Sequence, residues 1–236
     1  MEIDEAEDPA TDIDEEDKGN PLAVVDYVND IYKFYRETEV LSCVPSDYMA
    51  HQPAINEKMR AILVDWIIKV HMDFRLMHET LFLVINIFDR YLSRQTVVRR
   101  SLQLVAAAAM FVACKYEEIS IPLVEEFIFI TDNAYTRSEL LHMEKSILNK
   151  LKFSVSLPTP YVFMRRFLKA AGSDKDLEMV SFFLMELCLV EYIMLKYPPS
   201  LIAAAAVYTG HCTLKRAPSW NKTMECHTTY TENQLM

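Results

Sequence analysis

The chain has 236 residues, about half of them apolar, and a formal charge of −10. That length makes one large domain or two ordinary ones, and three glycines, Gly19, Gly172 and Gly210, are too few for the many tight turns of a β-rich fold. The charge is uneven: residues 1–18 hold ten Asp or Glu against one Lys, so the rest is nearly neutral and offers no broad basic surface to a nucleic acid.

Residues 1–19 have too little apolar content to offset the entropy of ordering, and the composition predicts an acidic disordered tail. Residues 20–54 read as an amino-terminal helix and connector, with Pro21 at a helix-opening position and the helix running to about Glu37. Two stripes run along it: Val25, Val28, Tyr32 and Tyr35 form one, and Tyr27, Ile31 and Phe34 the other. One can pack on the chain's own body; the second, aromatic, suits burial or an interface equally.

Beyond this the apolar residues recur at helical spacing with short breaks, predicting helices at about 54–72, 78–93, 100–116, 122–130 and 136–151. The first carries MRAILVDWIIKV at 59–70, where only Arg60, Asp65 and Lys69 interrupt the apolar residues. Met59, Ile62, Leu63 and Trp66 share one stripe, which periodicity allows as core or as a docking groove. Four alanines at 106–109 predict a helix that neighbours approach on every side. The start of the last helix is marked by Thr136 and Glu139, a capping box.

Residues 152–160, with two prolines, break helicity, and the chain beyond them repeats the first half. The alanine run returns at 203–206, Met59-Arg60 is echoed by Met164-Arg165, and Tyr135-Thr136 by Tyr230-Thr231. The predicted fold is therefore all-α, with tandem five-helix bundles at 55–152 and 153–236. The second half ends one turn into the helix that Thr231 and Gln234 announce, so its last helix is expected to be truncated.

Five cysteines, at 43, 114, 188, 212 and 226, form no CxxC pair and suggest a reducing compartment, nucleus or cytoplasm. His211-Cys212 and Cys226-His227 lack a zinc-site spacing, so no metal is expected. The longest uncharged run, at 197–214, holds two prolines and a polar group and is no membrane span. Arg99-Arg100 and Arg165-Arg166 read as helix-end or solvent-facing charges. Nothing resembles a phosphate-binding glycine loop or a nucleophile beside a base, so neither an enzyme nor a cofactor is expected.

MRAILVDW, LQLVAAAAMFVACKYEEI and YTRSELLHMEKSIL, in that order, together with the duplicated helical plan, resemble the cyclin family over about residues 20–236. The likeness is greatest to mitotic B-type cyclins, and LVEYIMLKYPPSLIAAAAVY has a plant character. The resemblance implies two stacked cyclin boxes, no catalytic activity, and a partner, a cyclin-dependent kinase, whose active conformation the chain favours at the G2/M transition. It matches Lys115 and Glu144 to two kinase-contacting charges with Tyr116, Glu117 and Glu118 beside them, and Tyr27, Asp30, Ile31 and Phe34 to a kinase-touching helix. It matches Met59, Ile62, Leu63, Trp66, Leu102 and Gln103 to a patch that docks substrates and inhibitors through an Arg-x-Leu type motif. Lys69 departs from relatives that have an acidic residue there. Arg60-x-x-Leu63 fits a destruction box only superficially, since it lies inside this helix. A nucleic-acid-binding general transcription factor with paired boxes is the rival reading and needs a basic face that the neutral body lacks.

Overall fold

The computed structural model describes residues 11–216 and 220–236. Their regular structure is helical: α1 Val25–Thr38, α2 Glu57–Phe74, α3 His78–Leu92, α4 Leu102–Glu117, α5 Val124–Phe129, α6 Arg137–Lys150, α7 Pro160–Ala170, α8 Lys175–Val190, α9 Pro199–Thr213, α10 Lys222–Thr228 and α11 Glu232–Leu235, with short 3₁₀ turns between them.

Local chemistry sets the boundaries. Asn56 accepts a hydrogen bond from Met59 N to open α2, and Thr136 with Glu139 closes a capping box at the head of α6, as the sequence predicts. Pro160 and Pro199 occupy first-turn positions where a missing N–H costs nothing. Pro21 opens only a 3₁₀ turn, and α1 begins four residues later, after Val24 adopts a left-handed conformation.

Helices α2–α6 make the first bundle, with α4 packed against α2, α3, α5 and α6. Its four alanines, 106–109, are wholly buried, which lets those neighbours approach closely. In the second bundle α9 takes this place against α7, α8 and α11. Ala203 and Ala204 are fully buried there, but Ala205 is half-exposed, so α9 is less completely surrounded than α4. Gly210 lets α9 pack tightly on α8: a Cβ there would stand 2.9 Å from Leu177 Cδ1 and Ser181 Oγ.

The bundles interlock. Phe82 of α3 is buried among Phe163, Phe167 and Met185 of the second core, while Tyr192 joins the first. Between them Arg60 of α2 donates to both carboxylate oxygens of Asp89 in α3, at 2.7 Å each, and to the carbonyls of Leu189 and Val190 at the end of α8. Tyr48 donates to the same carboxylate at 2.7 Å. Burial works against the Arg60 charge, yet Asp89 more than offsets it and holds the pKa above the ordinary arginine value.

Two sequence expectations need correction. The tail does not remain disordered throughout 1–19: residues 1–10 lie outside the described part, but Asp14 is buried against Arg166 and Lys169 of α7. Charge pairing supplies the ordering energy that apolar content could not. For the same reason Arg166 is no solvent-facing charge, although its neighbour Arg165 is exposed.

Replacing Asp89 by Ala strands the Arg60 charge in the interior and should lower unfolding free energy by about 3–5 kcal/mol. The paired change Arg60→Met with Asp89→Leu should cost less, as read by urea unfolding. A double variant weaker than the single one would show that the ion pair itself carries the stability.

Candidate partner-binding surface

Twelve of the first thirteen residues of α4 are buried, with Gln103 half-buried, and the helix opens fully to solvent only in its last turn. There Lys115 points across to α6, where its Nζ donates to Glu144 Oε1 at 2.7 Å and lies 4.0 Å from the centre of the Phe111 ring. Two charges 29 positions apart in sequence thus form one surface pair. Its place at a helix carboxyl end suits the lysine, since the helix dipole is negative there.

Tyr116 next to it is half-exposed, and Glu117 turns toward a cleft also lined by Phe34, Tyr35, Glu79 and Tyr161. Burial, with Glu79 and Glu118 nearby, pushes the Glu117 carboxyl above its ordinary value. The cleft joins the end of α4 to α1. Along α1 the two stripes part as periodicity allows: Val25, Val28, Tyr32 and Tyr35 are half-buried on the body, whereas Tyr27 and Phe34 are 63% and 57% exposed. Asp30 is exposed beside them, and Ile31 is half-buried at the margin.

Glu118 does not join this face. Its Oε1 accepts hydrogen bonds from Met77 N at 2.8 Å and Thr80 Oγ1 at 2.5 Å, so it caps the start of α3. Sequence reasoning also passed over Ile119, which is fully exposed, and Leu123, 67% exposed, in the following loop. The signal was present in Ile-Ser-Ile-Pro-Leu at 119–123, an apolar run that a proline keeps out of any helix.

On α2 the proposed docking stripe is split by depth. Leu63 and, on α4, Leu102 are buried in the core; Met59, Trp66 and Gln103 are half-buried, and only Ile62 stands well out, at 63%. Both leucines therefore belong to the core rather than to a contact surface. Lys69 is exposed on the Ile62 side of the helix, and Arg60 is 1% exposed, which makes the Arg60-x-x-Leu63 sequence structural. Among the described residues no group of three or more His, Cys, Asp or Glu is placed to hold a metal ion, and no helix is long and apolar enough to cross a membrane.

These two kinds of charge predict different costs. A pair at the surface, here with side chains 42% and 13% exposed, contributes about 0–1 kcal/mol, so Lys115→Ala with Glu144→Ala should leave the thermal melt near wild type. Glu118→Ala removes a cap and should cost about 1 kcal/mol. Equal losses in the two variants would mean that Glu118 has no capping role.

Comparison with known proteins places this geometry. The family model described as cyclin, N-terminal domain, matches residues 30–156, and that described as cyclin, C-terminal domain, matches 158–236. The chain is 61% identical over 225 residues to Cyclin-B2-1 of Oryza sativa subsp. japonica, covering 95% of this chain and 54% of that protein. It is 57% identical to Cyclin-B2-3 of Arabidopsis thaliana, with 100% and 55% covered. Against G2/mitotic-specific cyclin-2 of Medicago sativa the identity is 59%, with 95% and 69% covered. The chain thus spans about half the length of the first two of these relatives. Among solved structures, a viral cyclin from herpesvirus saimiri superposes with a TM-score of 0.74 at 22% identity, over 85% of this chain and 90% of that one.

Proposed function

This chain belongs to the cyclin family, and we propose that it is the regulatory subunit of a cyclin-dependent Ser/Thr kinase acting at the G2/M phase of the cell cycle, in nucleus and cytoplasm. One observation carries the reading: Phe34 of the outward α1 stripe and Tyr116 and Glu117 at the end of α4 border a single cleft, with the Lys115–Glu144 pair next to Tyr116. A surface built from exposed aromatics and a few charges around a depression is the usual form of a protein interface.

The chain contributes shape and burial, while the kinase contributes the groups that transfer phosphate. A subunit that fits the active kinase conformation better than the inactive one shifts the population by the difference in affinity. Lys115, Tyr116, Glu117 and Glu144 form one side of the contact, with Tyr27, Asp30, Ile31 and Phe34 on the other. Ile119 extends it along the loop after α4.

The second element is recruitment. Met59, Ile62 and Trp66, with the polar Gln103, are the partly or well exposed members of the set beside the buried Leu63 and Leu102, and suit an apolar side chain of a substrate or inhibitor docking motif. Lys69 beside it opposes a strongly basic motif and shifts the choice of sequence. The nucleic-acid reading gains nothing from the fold, because Arg60, Arg90 and Arg166 are buried rather than gathered on a surface.

A pull-down followed by a kinase assay tests the first element. Wild type should recover a proline-directed Ser/Thr kinase, and Lys115→Ala with Glu144→Ala should lose it at unchanged circular dichroism. Full activation by that variant would remove these residues from the interface. For the second element, Ile62→Ala with Gln103→Ala should raise KM about tenfold for substrates carrying a docking motif and leave a short peptide substrate unaffected, because a remote site adds binding energy only to ligands that reach it. Equal losses on both would contradict the recruitment role.

A further inference from the structure

Helix α1 is ordered on little. None of its fourteen residues is fully buried, and its amino end lacks a side-chain cap. A helix of that length is marginal in water on its own, so its position depends on what holds it to the body.

At its carboxyl end the hold is evident: Arg36 reaches Ser200, Tyr230 and Thr229, while Glu39 accepts hydrogen bonds from Ser200 N and Oγ. The amino-terminal half, which carries Tyr27, Asp30 and Ile31, has none of these. It packs through the half-buried Val25 and Val28 and ends at Tyr32, whose hydroxyl donates to Val162 O at 3.1 Å and whose ring has the Arg166 guanidinium 5.2 Å from its centre.

The orientation of that guanidinium is in turn fixed by Asp14. Arg166 Nη1 and Nη2 donate to Asp14 Oδ1 and Oδ2 at 2.6 and 2.7 Å, a two-pronged pair with Arg166 5% exposed. Lys169 Nζ donates to Asp14 and Asp17 at 2.6 Å each, and Thr11 N donates to Thr223 Oγ1 of α10 at 3.0 Å. Ala23, Val28 and Tyr32 face Asp14 and Asp17 across one cleft. Residues 11–17 thus form a strap fastened at both α10 and α7, with the amino half of α1 on its far side.

We infer that Asp14 is a positioning residue: through Arg166 and Tyr32 it sets where the amino-terminal half of α1 lies, and so tunes affinity for the kinase without touching it. The affinity part rests on the partner reading given above; the positioning of α1 does not. Buried pairs are screened by salt far less than exposed ones. The hydrogen bonds from Arg166 also hold the Asp14 carboxyl down to about 2, so the clasp stays charged at any physiological pH.

The test uses the full chain with Asp14→Asn, Asp14→Glu, and Tyr27→Ala with Phe34→Ala. Backbone hydrogen exchange of the free chain should rise about tenfold across residues 25–32 in Asp14→Asn and stay unchanged in α4 and α9. The dissociation constant for the co-purifying kinase should rise about five- to tenfold, and Asp14→Glu, which keeps the charge, should recover most of that loss. Exchange that quickens equally in α7, α9 and α1 would mean that the pair merely stabilises the second bundle, and unchanged exchange at 25–32 would remove the clasp; either overturns the inference. Tyr27→Ala with Phe34→Ala separates the two ideas. If it weakens the kinase complex and Asp14→Asn does not, Asp14 has no such role. If it leaves the complex intact, α1 is not a partner surface, and the partner reading fails while the exchange result still decides the clasp.

Discussion

The buried ion pair between Arg60 and Asp89 fixes how the two halves of the molecule meet. Its side chains are 1% and 3% exposed, so taking both charges out of water costs several kcal/mol. That cost is met only if the planar fork of the arginine finds all its acceptors. Two belong to Asp89 in α3 and two are carbonyls at the end of α8, where the helix dipole favours a positive charge. One mutual placement of α2, α3 and α8 satisfies the set. With Arg60 turned inward, helical geometry turns Ile62 and Trp66 toward the opposite side, so the interior network also decides which face of α2 is left outermost.

The proposed partner face combines parts of unequal stiffness. Lys115 and Tyr116 project from a helix whose preceding residues are almost all buried, which gives them a position as rigid as the core itself. Helix α1 contributes the aromatic residues from a segment with no fully buried side chain, held through hydrogen bonds, ring contacts and the acidic strap. Elements that must adapt to a partner are drawn from the less stable part of a fold, and the pairing of a fixed edge with an adjustable one reflects how each is anchored.

Much of this was legible in the sequence because it depends on local chemistry. The Thr136 and Glu139 capping box located the start of α6, the alanine run located a central helix, and the stripes of α1 divided into an inner and an outer set. What escaped depends on tertiary placement. Arg165 and Arg166 are adjacent and alike in sequence, yet a rotation of about 100° separates an exposed side chain from one that is 5% exposed. Asp14 is one carboxylate in an acidic run, and only the position of Arg166 singles it out. Glu117 and Glu118 read as equivalent until the start of α3 claims the second of them. Leu63 and Leu102 match docking residues by resemblance alone and lie in the core by depth, a distinction that periodicity cannot draw for a helix apolar on most sides.

Hydroxyl-radical footprinting of the chain, free and bound to the kinase it recovers, tests the assignment of the partner face most directly, since it reports side-chain exposure on the aromatics that define it. Tyr27, Phe34 and Tyr116, exposed in the free chain, should lose most of their reactivity in the complex, while Ile62 and Trp66 on α2 keep theirs. Undiminished labelling of Tyr27, Phe34 and Tyr116 in a complex that is fully formed would contradict it.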